Sequence, residues 1–242
     1  MSLGDASVGV VIPAAGAGSR MGGARKPFLA ILGRPVLLWT LDPFLAHPRV
    51  RSVTVALAPE DAATPPDWLT ALAPAVSVVA GGETRTQSVA NALKALPVEA
   101  TIVLVHDGAR PLLRTEWIDA CIASAEEGMG AVVGYPAVDS MKRADPQGFI
   151  DSTEDRAGLW QVQTPQAFPR AVLEEAYRLA LESGDGGTDD AQLVERVGCP
   201  IRLVRGGSEN VKITYPSDLV FAEAALKRRK ERSTPPVSGE TP

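Results

Sequence analysis

The sequence is poor in the residues that most often build metal centres, redox sites and stacking surfaces. It contains two histidines and two cysteines among 242 residues, and aromatic residues make up 5% of the chain. Cys121 and Cys199 lack CxxC spacing, so the sequence predicts two small buried residues and neither a metal ligand, a redox pair nor a disulfide. So few aromatic rings also offer little surface for stacking single-stranded nucleic acid.

An excess of positive charge and a long apolar run are also missing. There are 24 Lys and Arg against 29 Asp and Glu, which gives a formal net charge of −5 and disfavours a general polyanion binder. No stretch reaches the roughly 18 apolar residues of a membrane span, and residues 1–7 lack the basic and apolar regions of a secretory signal. The sequence therefore predicts a cytoplasmic protein with no nucleic-acid or membrane partner.

Apolar, β-branched segments alternate with amphipathic segments along the chain. Six of the apolar segments predict buried strands: Val8–Ile12, Val53–Leu57, Val76–Ala80, Thr101–Val105, Ala131–Tyr135 and Ile201–Val204. Three helices are predicted from apolar positions that share a face: Val89, Leu93 and Leu96; Ile118, Cys121, Ile122 and Ala125; and Val172, Ala176 and Leu179. The alternation predicts an α/β fold with a mostly parallel sheet flanked by helices.

The length and the even composition predict one domain over residues 1–232. Residues 138–156 interrupt the alternation with short polar and apolar residues around a turn-forming segment, which predicts a projecting β arm. Exposed strand edges are commonly covered by a second copy of the chain, so we expect a homodimer. Residues 233–242 are rich in Ser, Thr, Pro and Gly and predict a disordered tail.

A glycine-rich turn and a cationic segment follow the first predicted strand, between Pro13 and Phe28. Small residues allow backbone N–H groups to approach an anion, and Arg20 and Lys26 can neutralise it. Met21 occupies the third-glycine position of a dinucleotide fingerprint, and no Gly-Lys-Ser/Thr occurs, so a dinucleotide fold and a P-loop ATPase are disfavoured. The glycines alone could form a plain strand-to-helix turn, but the two cations favour a triphosphate whose α-phosphorus is attacked.

Further polar residues follow later strands, at the edge where parallel sheets bind ligands. Asp107 could hold Mg²⁺ between phosphates, or it could cap a turn or pair with Arg110. His106 points away from Asp107 in a strand alternation and is interpreted as structural. Lys212 alternates with apolar neighbours within residues 210–214, which predicts that its side chain leaves a strand.

Seven segments, in order, are PAAGAGSRMGGARKPF, GGETRTQSV, VLVHDGARP, DSMKRA, DRAGLWQVQTPQAF, TDDA and NVKIT, between residues 13 and 214. Together they resemble the 2-C-methyl-D-erythritol 4-phosphate cytidylyltransferase family of non-mevalonate isoprenoid biosynthesis. The resemblance implies a Rossmann-like nucleotidyltransferase fold, Mg²⁺ and a homodimer. It also implies a reaction in which CTP and methylerythritol phosphate give 4-diphosphocytidyl-2-C-methyl-D-erythritol and pyrophosphate.

The resemblance also implies roles for residues at matching motif positions. The catalytic residues would be Arg20, Lys26, Arg156 and Lys212. The nucleotide would be bound by Ala14, Ala15, Gly16, Gly18, Gly82 and Ser88. The methylerythritol phosphate would be bound by Asp107, Arg110, Ser140, Arg156, Thr164 and Lys212, with Asp107 also holding the metal. In the family, the arm of one subunit helps to complete the site of its partner.

Three positions depart from residues common in the family. Ser140 stands where threonine is common, Gly108 where alanine is common, and Ser19 where a second basic residue often precedes Arg20. Three alternatives remain open: a ribitol-5-phosphate cytidylyltransferase, a nucleotide-sugar glycosyltransferase, and a nucleotide-binding regulator or inactive relative. A glycosyltransferase would be expected to have a DxD-like metal-binding motif, whereas the motif around Asp107 contains a single acidic residue.

Overall fold

The computed structural model describes residues 6–16 and 25–233. The strands are β1 (Ser7–Pro13), β2 (Ala30–Ile31), β3 (Arg34–Pro35), β4 (Val50–Leu57), β5 (Val76–Ala80), β6 (Ala100–Val105), β7 (Gly130–Pro136), β8 (Met141–Ala144), β9 (Ile150–Glu154), β10 (Trp160–Pro169) and β11 (Ile201–Arg205). Seven of them form one sheet in the order β11-β7-β10-β6-β1-β4-β5. β10 runs antiparallel to both of its neighbours, and the other pairings are parallel.

Helices cover both faces of this sheet, and the last helix of the chain packs beside it against β2. They are α1 (Val36–Leu45), α2 (Pro59–Ala63), α3 (Asp67–Thr70), α4 (Arg85–Ala95), α5 (Thr115–Glu126), α6 (Arg170–Ser183), α7 (Asp190–Glu195) and α8 (Pro216–Ser233). The six predicted strands and three predicted helices are all present, which confirms the predicted α/β fold class. The buried face of α6 differs from the predicted one. Leu179 is 40% exposed, whereas Leu173 and Tyr177 are buried.

The core is divided between the two faces of the sheet by the alternation of side chains along each strand. Val10 and Ile12 of β1 pack on the face that carries α1 and α5. Val11 packs on the opposite face, with apolar residues of α4, α6 and α7. Because both faces are buried, the central strands read as continuous apolar runs. Cys121 is buried as predicted, but Cys199 is only partly buried, so the prediction for Cys199 is wrong.

β10 is a central strand that the predicted set does not contain. Its residues Gln163 and Gln166 are buried. Their side-chain amide groups form hydrogen bonds inside the protein. Gln166 donates to Asp189 Oδ2 over 2.8 Å and accepts from Ala191 N over 2.8 Å, and Gln163 donates to Gly207 O over 3.1 Å. A strand that buries amide side chains gives no hydrophobic alternation.

The β arm predicted within residues 138–156 is present as the β8–β9 hairpin, separate from the main sheet. Asp145 forms its turn by accepting from Gln147 N over 3.0 Å and Phe149 N over 2.9 Å. Phe149 and Ile150 are 72% and 66% exposed. The role of the arm in a dimer and the single domain over 1–232 stay predictions, and most of the predicted tail lies outside the described residues.

None of the described helices combines the length and the apolar character needed to cross a membrane.

A substitution at Gly130 of β7 tests how closely β10 packs against β7. A Cβ added there would lie 2.9 Å from two ring carbons of Phe168, closer than unstrained carbons approach. We expect Gly130→Ala to lower the free energy of unfolding by about 1–3 kcal/mol, as overpacking does in other cores. Urea unfolding measures the change, and adding Phe168→Leu should recover part of it. Wild-type stability in Gly130→Ala would contradict this packing.

Candidate active site

A cavity of about 450 Å³ lies at the carboxyl ends of β1, β5 and β6. Backbone hydrogen bonds fix the loops that leave these strands, from Ala14 N to Ala56 O over 2.8 Å and from Gly81 N to Leu57 O over 2.7 Å. The cavity is lined by these predicted site residues: Ala14, Ala15, Gly16, Lys26, Gly82, Ser88, Asp107 and Lys212. The loops after three strands and the segment that carries Lys212, all distant in sequence, therefore form one site.

The loop after β5 approaches the loop after β1 too closely for any side chain at Gly81. A Cβ there would lie 2.5 Å from Ala15 Cβ and 2.9 Å from Ser88 Oγ. Ser88 Oγ accepts from Gly82 N over 3.1 Å and donates to Thr84 O over 2.9 Å. Ser88 therefore holds the Gly82 backbone in place, and its predicted direct contact with the nucleotide stays a prediction.

Asp107 lies among three cationic side chains at the floor of the cavity. Its Oδ2 is 3.0 Å from Lys212 Nζ and 3.2 Å from Arg110 Nε, and its Oδ1 is 3.7 Å from Arg85 Nε. Burial alone would raise the pKa of Asp107, but the charges of Lys212, Arg85 and Arg110 lower it well below its usual range. Asp107 is therefore a carboxylate at neutral pH.

A hydrogen-bonded chain beneath Asp107 ties it to the sheet. The Asp107 N–H donates to Thr164 Oγ1 over 3.1 Å, and the Thr164 hydroxyl lies 3.0 Å from His106 Nδ1. His106 Nε2 lies 3.2 Å from Arg110 O, which requires the proton on Nε2. Burial lowers the pKa of His106 to about 4, and the hydrogen bond to Arg110 opposes the shift. His106 is thus neutral and buried, which confirms its structural interpretation.

The sequence did not single out Arg85, which also lines the cavity. Its terminal nitrogens bind both carboxylate oxygens of Asp190 over 2.9 and 2.6 Å. Burial would lower the pKa of Arg85, but Asp190 more than offsets it, so the pKa is raised. The two residues are 105 positions apart. The only sequence signal is that both lie in the quoted motifs, GGETRTQSV and TDDA.

Other predicted site residues do not line the cavity. Arg110 and Thr164 lie behind Asp107, where Arg110 donates to Asn210 O over 2.7 Å. Ser140 and Arg156 are exposed on the arm, where Arg156 donates to Val138 O. Gly18, Ser19 and Arg20 lie outside the described residues.

Lys212 reaches the cavity from a segment that is not a strand. Residues 211–214 have no regular secondary structure, so the strand predicted over residues 210–214 is wrong. The segment is held instead by side-chain contacts, since Asn210 Nδ2 donates to Thr164 O over 2.8 Å. Ile213 N also donates to Ala109 O over 2.8 Å. With Ile213 buried, Lys212 is directed to Asp107.

Comparison with known proteins agrees with this geometry. The profile of the 2-C-methyl-D-erythritol 4-phosphate cytidylyltransferase family matches residues 8–228. The chain belongs to this family. A relative of that name from Dechloromonas aromatica is 43% identical over 91% of this chain and 97% of its own, and one from Haemophilus influenzae is 42% identical over 93% and 98%.

Solved structures of the same family share the fold. The 2-C-methyl-D-erythritol 4-phosphate cytidylyltransferase of Thermus thermophilus has a TM-score of 0.78 and 37% identity, covering 91% of this chain and 99% of its own. The 4-diphosphocytidyl-2C-methyl-D-erythritol synthase of Anaerococcus prevotii has a TM-score of 0.81 and 30% identity, covering 94% and 100%. The predicted family and nucleotidyltransferase fold are confirmed, and the chain is a nucleotidyltransferase enzyme.

Gly108 lies where the loop after β6 packs closely against the end of β1 and the residue that follows it. A Cβ at Gly108 would lie 3.1 Å from Ala14 Cβ and 3.2 Å from Ile12 Cγ2. An alanine at this position would therefore require Ala14 and the Ile12 side chain to shift by a few tenths of an ångström. The glycine lets the loops after β1 and β6 approach each other directly.

The neutral state of His106 predicts how stability depends on pH. Its native pKa of about 4 lies below the ordinary value of 6.5, so between these values the unfolded chain binds a proton that the folded chain does not. The free energy of unfolding should fall as the pH is lowered from 6.5 towards 4, by roughly 3 kcal/mol in total from this group. Chemical unfolding across this range measures it, and His106→Gln should flatten the dependence. An equally steep curve in His106→Gln would refute this origin.

Proposed function

We propose that this chain transfers the cytidylyl group of CTP to 2-C-methyl-D-erythritol 4-phosphate and releases pyrophosphate. The observation that carries the proposal is one cavity that gathers residues 14–16, Lys26, Asp107 and Lys212 in a member of this family. The product is 4-diphosphocytidyl-2-C-methyl-D-erythritol, an intermediate of non-mevalonate isoprenoid biosynthesis. A cytoplasmic location is part of the proposal.

The reaction needs alignment and charge neutralisation more than it needs a base. The attacking oxygen of the acceptor phosphate is already anionic, so a bond to the α-phosphorus of CTP forms as the bond to the β-phosphate oxygen breaks. Lys26 would neutralise the growing charge on the triphosphate, and Lys212 would orient the acceptor phosphate. His106, the histidine nearest the cavity, has both ring nitrogens engaged and takes no proton in this mechanism.

The donor set fits a magnesium ion bound together with phosphates. Among the described residues no group of three metal-ligating side chains occurs, but Mg²⁺ usually takes one or two protein carboxylates plus substrate oxygens. Asp107 would hold it through Oδ1, whose contact with Arg85 is long at 3.7 Å, while Oδ2 keeps its shorter contacts. When bound, the ion would neutralise charge on the phosphates and orient them.

The arm residues support a proposal in which two copies of the chain build each site. Ser140 and Arg156 are exposed and do not line the cavity of their own chain. They lie near each other, because Arg156 binds the carbonyl of Val138. In a homodimer, the arm would bring their hydroxyl and guanidinium groups to the acceptor phosphate in the partner's cavity.

A ribitol-5-phosphate cytidylyltransferase is the alternative with the same chemistry. Both acceptors are polyol phosphates, and a pocket discriminates between such analogues by shape and by hydrogen bonds to particular hydroxyl groups. Comparing pyrophosphate release with each acceptor at equal concentration decides between them. Family membership favours methylerythritol phosphate.

Lys26 provides the direct test of the phosphate-binding role. Pyrophosphate release from CTP and Mg²⁺ should require methylerythritol phosphate, and Lys26→Ala should lower kcat by about 10²–10³, the usual loss when a transition-state charge contact is removed. Lys94→Ala, an exposed lysine on α4, is the control and should behave as wild type. Release without an acceptor, or full activity in Lys26→Ala, would contradict the proposal.

Mixing two inactive variants tests the shared site. Lys212→Ala damages the cavity of its own chain, and Arg156→Ala damages the arm that would serve the partner. If arms act across the dimer, half of the randomly mixed dimers carry one intact site of two, so activity should return to about a quarter of wild type. Each variant alone stays inactive as the control. No recovery after proven subunit exchange would mean that each chain completes its own site.

A further inference from the structure

Asp190, in the TDDA motif, is a buried carboxylate that no step above uses. Its side chain is fully buried, and it does not line the cavity. Both of its oxygens bind Arg85, and the Tyr177 hydroxyl donates to Oδ1. A buried ion pair adds little net stability compared with apolar packing. We therefore expect the Arg85–Asp190 pair to have a role other than stabilising the fold.

Arg85 connects this buried carboxylate to the cavity. Asp190 holds the two terminal nitrogens, so the Nε edge of the planar guanidinium faces Asp107 Oδ1 at 3.7 Å. The segment before Asp190 is also fixed to the start of α4, because Thr86 Oγ1 donates to Gly186 O over 2.9 Å. The guanidinium is thus held from behind while its side chain lines the cavity.

We infer that Asp190 is a positioning residue that acts through Arg85 on Asp107. This inference rests on the proposed function, in which Asp107 binds the acceptor phosphate and the metal. Because Asp190 binds both terminal nitrogens of Arg85, only the Nε–H group of Arg85 faces Asp107, at a distance of 3.7 Å. Arg85 therefore does not form a two-pronged ion pair with Asp107. Asp107 Oδ1 consequently stays available to the reaction, while Lys212 and Arg110 engage Oδ2.

Loss of the Asp190 charge would release the guanidinium fork into the cavity. A free arginine binds carboxylates and phosphates through two parallel N–H bonds. It would then compete for Asp107 Oδ1 or for the phosphates of the substrates. Both outcomes move reacting groups out of alignment, and a misplacement of about 1 Å can lower a rate by about 10²-fold.

A double-mutant cycle tests the inference. It compares Asp190→Asn, Arg85→Gln and the double variant by the kcat of acceptor-dependent pyrophosphate release per folded enzyme, with melting temperature followed separately. We expect Asp190→Asn to lower kcat by about 10²-fold with a smaller change in the KM for CTP. In the Arg85→Gln background, Asp190→Asn should add less than about threefold, because its effect passes through Arg85.

Arg170→Gln is the matched control for a partly buried arginine. Arg170 binds backbone carbonyls, including Ala100 O over 3.4 Å, and does not line the cavity. This variant should lower the melting temperature without lowering kcat per folded enzyme. If Asp190→Asn behaves in the same way, or if the losses of Asp190→Asn and Arg85→Gln multiply, the inference is wrong. A wild-type enzyme without acceptor-dependent release would instead refute the proposed function.

Discussion

The ionised carboxylate of Asp107 is the point on which the arrangement of the cavity depends. Burial opposes its charge, and the charge persists because Lys212, Arg85 and Arg110 surround it. These cations come from the segment before α8, the start of α4 and the loop after β6. The sheet brings all three to one edge, since the carboxyl ends of parallel strands meet there. The carboxylate in turn keeps three like charges together at a cavity that accepts phosphates in the proposed function, two of them lining it and Arg110 behind.

The fold was largely predictable because strands of a sheet that is buried on both faces have a recognisable apolar sequence. Each central parallel strand is a short apolar run between amphipathic segments. β10 left no such record, because Gln163 and Gln166 are buried through hydrogen bonds to residues more than twenty positions away. The segment carrying Lys212 gave the opposite error: its alternation is real, but Asn210 and Ile213 hold it as a loop through hydrogen bonds that form no strand pairing. Periodicity reports which side chains are buried, and not whether a strand partner exists.

The site was predictable where chemistry follows directly from the end of a strand. Residues 14–16 after β1, Asp107 after β6 and the loop at Gly82 all lie where the parallel-sheet rule puts them. The pairing of Arg85 with Asp190 follows no such rule, because it spans 105 positions and each residue alone resembles an ordinary surface charge. Arg156 shows the reverse case. Its motif suggested a role at the site, whereas its own chain places it on the exposed arm.

The protonation states at the cavity floor suit a reaction that transfers no proton. The Thr164 hydroxyl accepts from Asp107 N–H, and it can donate to His106 Nδ1 only while that nitrogen is unprotonated. With a pKa of about 4, His106 stays unprotonated at neutral pH, and Asp107 stays ionised. Neither group changes charge in the range where general bases work. In the proposed mechanism the rate therefore comes from how accurately fixed charges hold two phosphates in line, which makes the residues that hold those charges as important as the charges themselves.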